Sequence, residues 1–279
     1  DMTDPWVEEY LQEKVIKTLQ DYGFEYMKMD YNDTIGIGCD GAESLGEGLR
    51  LNMEASVNFI KKVSREVPGI ILENCASGGH KLEPLMMSIT SMASFSDAHE
   101  TEEIPIIAAN LHRAILPRQS QIWAVIRKTD SLKRIAYSVV NTFLGRMCLS
   151  GDVTELTTEQ WDVIDRGIAF YKAIAPIIKN GYTHRFVTCI TSDRHPKGWQ
   201  GIVRVGENGE AYVLIHSFLG DLPEYIEIVL PEGCGTNVKS VYSDTDIVYE
   251  IEGNMLRYKT TENWKATAFL LNMRNHDIL

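Results

Sequence analysis

The sequence is poor in cysteine, and no two of its cysteines stand close enough to form a C-x-x-C motif. The five are Cys39, Cys75, Cys148, Cys189 and Cys234. An odd number at wide spacing excludes a disulfide framework and a zinc site built on paired cysteines, and it favours a reducing compartment. We therefore expect a cytoplasmic protein without a bound metal.

Long apolar runs and clusters of basic residues are also missing. No run approaches the roughly 18 apolar residues of a membrane-spanning helix, and the first residues do not form a signal-peptide pattern. The 27 basic and 39 acidic residues give a net charge of −12 without any Lys/Arg cluster. We therefore expect neither nucleic acid nor a membrane as partner, and a neutral ligand suits this surface best.

A phosphate-binding loop is absent as well. The glycines from Gly36 to Gly48 lack the G-x-x-x-x-G-K-[ST] form that cradles a nucleotide. The sequence therefore implies no nucleotide, and we expect no cofactor.

What is present is an alternation of helical and strand-like segments that changes character near Gly181. At 279 residues, two cores are the natural expectation. Up to Gly181, apolar residues at helical spacing alternate with short apolar runs, as in consecutive βα units. Beyond it, seven or eight short β-branched or aromatic runs are separated by turn residues. We predict α/β barrel units over 1–181 and an antiparallel β-sandwich over 182–279.

Two helix boundaries are predicted by glycine and proline. A glycine-rich loop that includes Gly46 and Gly48 precedes a helix over about 51–67. A later helix, capped by Thr157 with Gln160 three residues on, is predicted to end near residue 175, before Pro176.

Two aspartates stand at the ends of predicted strands. Asp30 ends the run 24–30, Asp97 follows the run 91–95, and a third run, 70–74, lies between them. Polar residues at the carboxyl ends of successive strands are where α/β barrels place their catalysts. A pair of carboxylates there is the minimal equipment of a glycosidase.

The residues around Asp30 favour a chemical role over a structural one. A lone aspartate at a strand end is most often a cap for the next helix. Lys28 and Asn32, however, lie two residues to either side, and the strand period of two puts all three on one face. A cation there favours the ionised form of Asp30. Asp97 has no basic neighbour in sequence, so the two environments differ as a nucleophile and an acid require.

Three segments together resemble a known family. Residues 26–32 read Tyr-Met-Lys-Met-Asp-Tyr-Asn, residues 73–79 read Glu-Asn-Cys-Ala-Ser-Gly-Gly, and residues 96–100 read Ser-Asp-Ala-His-Glu. In this order they resemble the K-W-D-M-N nucleophile motif, the E-S-C-S-G-G-G loop and the S-D-x-x-D acid/base segment of glycoside hydrolase family 36 α-galactosidases. The likeness is to the carboxyl-terminal half of that family and is strongest over residues 1–100.

The resemblance implies a reaction and the residues that perform it. The chain would act in a retaining glycoside hydrolase that cleaves terminal α-D-galactosyl residues from oligosaccharides or other glycosides through a covalent glycosyl-enzyme. Asp30 would be the nucleophile and Asp97 the general acid/base. Lys28 and Asn32 would contact sugar hydroxyls or the nucleophile.

The resemblance also implies residues that line the sugar pocket. Cys75 and Gly78 would lie near the C2 substituent of the sugar. Independently of the resemblance, Trp123 is a candidate to stack on a sugar ring because its side chain is aromatic. Ser77 stands where the family usually has glycine, and Glu100 where it usually has aspartate. These departures bear on the choice of sugar and leave the reaction class unchanged.

The strand count predicts an incomplete barrel. Only four or five barrel-type strands are recognisable before Gly181, against eight in a closed (β/α)8 TIM barrel. We expect this chain to hold the second half of the barrel. The amino-terminal half would come from a stretch of polypeptide outside this sequence, and the protein would form a homo-oligomer.

Three other functions fit parts of the pattern. An α-N-acetylgalactosaminidase would share the resemblance. A Mg²⁺-dependent barrel enzyme would use Asp30, Glu73 and Asp97, which stand at three strand ends. A sugar-binding protein without turnover would keep the pocket and lose the chemistry. Sensitivity to EDTA and turnover of a glycoside separate these alternatives.

Overall fold

The structure, a computed structural model, describes residues 1–30, 41–98, 101–187 and 194–273. These residues form two compact units, Asp1–Asp97 and Ala98–Leu279. Each unit is described separately below.

The first unit alternates helices with parallel strands. Its elements are α1 (Pro5–Leu11), a π-helical segment (Gln12–Ile16), α2 (Lys17–Tyr22), β1 (Tyr26–Asp30), α3 (Leu45–Glu66), β2 (Ile71–Cys75), α4 (Pro84–Ile89) and β3 (Met92–Ser94). Strand β2 pairs in parallel with both β1 and β3. Asp4 caps α1 by accepting from the backbone N of Trp6, and Gly23 ends α2 with φ 67°.

The two faces of this parallel sheet differ in chemistry. Met29 and Leu72 point to one face and join Ile16, Ile60 and Val63 of the surrounding helices in a buried apolar core. The opposite face carries charged and polar side chains. Because side chains alternate along a strand, the apolar core fixes which residues are presented on the polar face.

The second unit opens with three helices and two parallel strands. They are α5 (Ile104–Leu111), β4 (Ser120–Ile126), α6 (Leu132–Thr142), β5 (Arg146–Gly151) and α7 (Thr158–Asn180). Strands β4 and β5 pair in parallel over six residues of each. On β4, Ile122, Ala124 and Ile126 are fully buried, while the residues between them are half-buried.

The rest of the second unit is antiparallel. Its strands are β6 (Tyr182–Val187), β7 (Trp199–Val205), β8 (Ala211–Ser217), β9 (Tyr225–Val229), β10 (Asn237–Tyr242), β11 (Tyr249–Glu252), β12 (Met255–Lys259) and β13 (Ala266–Asn272). One sheet has the order β10-β13-β8-β7-β6 and the other β11-β12-β9. Val213 and Phe269 of the larger sheet share one buried core with Ile228 and Leu256 of the smaller.

Within the second unit, a buried arginine joins the helices to the antiparallel strands. Arg204 on β7 is 4% exposed. Its guanidinium donates to the carbonyl oxygens of Ile177 and Ile178, at 2.9 Å each, and to the Thr183 hydroxyl at 2.8 Å. A cation at the carboxyl end of a helix also meets the negative end of the helix dipole. Arg204 therefore completes the last turn of α7.

That last turn corrects one prediction. Helix α7 does not end before Pro176 but continues to Asn180. A proline four residues from the end of a helix removes only one backbone hydrogen bond. The buried side chains of Ile177 and Ile178 and the Arg204 contacts outweigh that loss.

The start of α3 corrects a second prediction made from the sequence. Gly46 and Gly48 were predicted in a loop, yet the helix begins at Leu45. Ser44 caps it by accepting from the backbone N of Glu47, and Glu47 pairs with Arg50 at 2.7 Å. A cap and an (i, i+3) ion pair stabilise a first turn that is otherwise rich in glycine.

The structure adds elements that the sequence pattern did not assign, namely α5, β4 and β12. The prediction of a mixed α/β chain, with parallel strands first and antiparallel sheets after, is confirmed. The predicted domain boundary at residue 181 falls inside the second unit and stays a prediction. Across the described ranges, no helix combines the length and apolar character needed to cross a membrane.

Candidate active site

The polar face of the first unit's sheet carries three of the predicted site residues, Lys28, Asp30 and Cys75. In the β1–β2 register, Lys28 pairs with Glu73 and Asp30 with Cys75. On β3, Met92 pairs with Glu73, so Ser94, two residues on, shares the same face. These side chains lie toward the carboxyl ends of the three parallel strands.

A buried carboxylate organises this face. Glu73 is 1% exposed. Its Oε1 accepts from the Ser94 hydroxyl at 2.6 Å and lies 3.2 Å from the Lys28 ammonium. The Lys28 Nζ also donates to the Ser94 hydroxyl at 3.2 Å, and the Tyr26 hydroxyl donates to Glu73 Oε2. Both oxygens of the carboxylate are therefore bonded, which a buried charge requires.

The charge of Lys28 is maintained by this arrangement. Partial burial lowers the pKa of Lys28, but the charge and hydrogen bond of Glu73, with smaller contributions from Cys75 and Asp30, outweigh it. The net result is a pKa of Lys28 above its ordinary value. Lys28 is therefore a cation throughout the neutral range.

Asp30 is the last residue of β1 and its side chain reaches solvent. The sequence analysis expected the Lys28 ammonium to act on Asp30. Its direct ion pair is with Glu73, and Asp30 lies within electrostatic range of both Lys28 and Cys75. Asp30 is thus an exposed carboxylate near the Lys28 ammonium. The buried Glu73 carboxylate holds that ammonium in place.

The loop after β2 approaches the segment that carries Asp97. Gly78 has φ 74°, a conformation that favours glycine. A Cβ on Gly78 would overlap the backbone of Ser96 and the backbone N of Asp97. Only a residue without a side chain allows this approach. The predicted association of Gly78 with the acid/base segment thus has a steric basis.

Cys75 and Ser77 flank that approach. Cys75 is buried, and burial raises the pKa of its thiol, although hydrogen bonds with the Gly78 backbone and the Ser94 hydroxyl lower it in part. It is therefore a neutral thiol at pH 7. Ser77 has φ 44°, so the position where the family usually has glycine is in the left-handed region here.

The remaining predicted residues lie elsewhere. Asp97 follows β3 and is exposed. Trp123 is half-buried on β4 of the second unit, where its indole N–H donates to Gln121 at 3.1 Å. Asn32 and Glu100 lie outside the described residues.

Glu73, Tyr26 and Ser94 were not assigned to the glycosidase site by the sequence analysis. Polar residues at alternate positions of a strand, as at Tyr26, Lys28 and Asp30, were the available signal for Tyr26. Glu73 entered only as a ligand of the alternative Mg²⁺ site. Both of its oxygens already bond to protein donors, which disfavours that role. Among the described residues, no three His, Cys, Asp or Glu side chains are grouped to hold a metal.

Comparison with known proteins identifies relatives of this chain. Residues 1–181 match the melibiase family. The chain is 23% identical over 194 residues to the α-galactosidase AgaA of Geobacillus stearothermophilus, an alignment that covers 64% of this chain and 26% of that protein. The chain thus spans about a quarter of the length of this curated relative.

Solved structures share the fold. The α-galactosidase of Lactobacillus brevis superposes with a TM-score of 0.76 at 17% identity, covering 99% of this chain and 39% of that one. A variant of AgaA in complex with raffinose gives a TM-score of 0.76 at 18% identity, covering 97% and 39%. The resemblance drawn from the sequence is confirmed, and the chain belongs to the melibiase family.

Proposed function

We propose that this chain carries the catalytic carboxylates of a retaining α-galactosidase. One observation carries the proposal: a polar face at the carboxyl ends of β1–β3 that presents Asp30 beside the Lys28 cation, with the Gly78 loop against the backbone of Asp97. Family membership supports the same activity. A relative that binds raffinose supports an oligosaccharide as the substrate class.

Each proposed catalytic residue has one task in each of two steps. First, a carboxylate oxygen of Asp30 bonds to C1 of the galactosyl unit as the bond from C1 to the leaving oxygen breaks. The Asp97 carboxylic acid gives its proton to that oxygen. Next, Asp97 takes a proton from water, whose oxygen attacks C1 and releases Asp30. Two inversions at C1 retain its configuration.

The other site residues would bind the sugar. Lys28 is a cation beside the nucleophile and would donate to a galactose hydroxyl or to Asp30, a role that Asn32 would share. Cys75 and Gly78 would contact the C2 substituent, where the small thiol and the bare backbone leave room for a hydroxyl. Trp123 would stack on a sugar ring.

The fold proposed for this activity is the second half of a (β/α)8 barrel followed by a β-sandwich, with the boundary at residue 181. Five parallel strands are described, against eight in a closed barrel. Within the described residues, β1 pairs only with β2. Trp6, Phe24 and Tyr26 nearby in sequence are 65%, 52% and 43% exposed. Such an edge suits pairing with further barrel strands. A homo-oligomer and a cytoplasmic location stay predictions.

The test uses the intact protein that contains these 279 residues. We expect turnover of 4-nitrophenyl α-galactoside and raffinose that EDTA does not affect, with α-galactose as the first anomer seen by NMR. First release of β-galactose would contradict retention. Faster turnover of the N-acetyl-α-galactosaminide would favour that specificity, loss with EDTA a metal enzyme, and binding without turnover a sugar-binding protein.

A further inference from the structure

Among the described residues of the first unit, Glu73 is a buried charge that the proposed reaction does not use. It lies on β2 directly opposite Lys28 in the register, two positions before Cys75. Its side chain is enclosed, whereas the Lys28 side chain is 34% exposed and the Asp30 side chain reaches solvent. Glu73 is therefore below the surface on which a substrate would lie, and it does not contact the reacting atoms.

The partners of Glu73 are divided between its two carboxylate oxygens. Ser94 and Lys28 both bond to Oε1, at 2.6 and 3.2 Å, while Tyr26 bonds to Oε2. Lys28 also donates to Ser94. Lys28, Glu73 and Ser94 thus form a closed triangle from three adjacent strands. A flexible lysine held at two points has few rotamers left, so its ammonium is fixed before any ligand arrives.

We propose that Glu73 is a positioning residue that fixes the Lys28 ammonium beside Asp30, with Ser94 as the bridge and Tyr26 as the second anchor. The inference rests on the proposed function for its catalytic consequence. Without Glu73, Lys28 keeps its partial burial and loses the carboxylate that lies 3.2 Å from its ammonium. The ammonium is then free to move away from the nucleophile and loses its proton more readily. Among the described residues, the ionisable groups that act on Lys28 include Glu73 and Cys75 of β2 and Asp30 of its own strand.

The principal variant is Glu73→Gln, which keeps the shape and removes the charge. Glu73 raises the pKa of Lys28 and burial lowers it, so the variant should lower that pKa. We expect kcat/KM for 4-nitrophenyl α-galactoside to fall about tenfold or more, and Lys28 to react faster with acetic anhydride because more of its amine is uncharged. A residue that only stabilises the fold would lower the melting temperature without changing the reactivity of Lys28 in the folded protein.

Two matched variants separate position from charge. Ser94→Ala removes the bridge and leaves both charges, so kcat/KM should fall while the reactivity of Lys28 toward acetic anhydride stays unchanged. Glu73→Asp keeps the charge on a shorter side chain and is expected to fold even if Glu73→Gln does not. It should also lower kcat/KM with the reactivity of Lys28 unchanged. Wild-type kcat/KM in Glu73→Asp, or wild-type reactivity of Lys28 in folded Glu73→Gln, would overturn the proposal.

A second measurement is independent of catalysis. The rate at which acetic anhydride labels Lys28 at pH 8, followed by peptide mass spectrometry, reports the fraction of free amine. Glu73→Gln should raise that rate about tenfold for each unit by which the pKa falls, whereas Ser94→Ala should not. If the wild-type protein cleaves no galactoside, the proposed function fails, and this rate still decides whether Glu73 controls Lys28. Equal rates in wild type and Glu73→Gln would refute it.

Discussion

The two units place a buried charge in contrasting surroundings. In the first, Glu73 is held by the side chains of Tyr26, Lys28 and Ser94, which share its face of the sheet. In the second, Arg204 is held mainly by backbone carbonyls at the end of α7. Both satisfy the requirement that a buried charge be paired. The backbone carbonyls that bond to Arg204 only stabilise the fold. The side chains that bond to Glu73 belong to a polar face that a substrate could contact.

The two units also differ in how many large aromatic side chains they leave exposed. The first unit exposes the large aromatic side chains of Trp6, Tyr10, Tyr22, Phe24 and Tyr26, all within its first 26 residues. Among the described residues of the larger second unit, only Tyr182 and Tyr249 are aromatic side chains exposed to a comparable degree. Aromatic side chains of this size are normally covered. If the proposed half barrel is correct, the first unit is the one to which further strands would be added.

The largest expected effect concerns the nucleophile. Asp30→Asn replaces the anionic carboxylate by a neutral amide that cannot form the glycosyl-enzyme, so kcat/KM should fall more than about a thousandfold, or ~4 kcal/mol of transition-state stabilisation. Because Asp30 is exposed, the melting temperature should change little. Steady-state kinetics and calorimetry on the same samples check both statements. Retention of a tenth of the activity would exclude Asp30 as nucleophile.

The next effect concerns the acid. Asp97→Ala should slow raffinose hydrolysis about a hundredfold or more, because its leaving oxygen needs a proton. A 2,4-dinitrophenyl galactoside needs little protonation and should lose far less. The ratio of the two rates is the measurement. Equal losses on both substrates would remove Asp97 from the acid role.

In the second unit, a substitution at the buried arginine should lower stability and leave activity unchanged. Arg204→Leu removes a charged donor from the carbonyls of Ile177 and Ile178 and from the hydroxyl of Thr183. The Ile177 carbonyl keeps its bond from the backbone N of Gly181. We expect about 3 kcal/mol less free energy of unfolding, with unchanged kcat/KM per folded molecule. Arg257→Leu is the control, since Arg257 pairs with Glu227 on the surface, and it should cost far less. A wild-type unfolding midpoint in Arg204→Leu would remove the contrast between the units.

The smallest effect is at Ser77. Its φ of 44° costs a non-glycine residue free energy that glycine does not lose. Ser77→Gly should therefore stabilise the protein by about 0.5 kcal/mol after the greater entropy of unfolded glycine is subtracted. Ser88→Gly, at an exposed position of α4, is the control and should destabilise. Denaturant unfolding of both variants measures these changes. A loss of stability in Ser77→Gly would show that the backbone at Ser77 is not strained.

The sequence predicted what is encoded locally. Strand periodicity alone places Lys28 and Asp30 on one face, and that face was predicted correctly. Glu73 was not predicted as the partner of Lys28, because the pairing depends on the register of β1 against β2, which no local pattern encodes. Likewise, Pro176 stops a helix by propensity, but α7 continues because of packing and the distant Arg204. Strand β4 was missed because Trp123 and Val125 obscure its alternation of buried and exposed residues.

The central claim is that Asp30, and not the buried Glu73, forms the bond to the sugar. The intact protein is incubated with a fluorinated α-galactosyl fluoride, whose glycosyl-enzyme breaks down slowly, and then digested for tandem mass spectrometry. The account predicts a single galactosyl-type label on the Asp30 side chain and none after Asp30→Asn. A label on Glu73 or Asp97, or continued turnover of galactosides with no label anywhere, would contradict it.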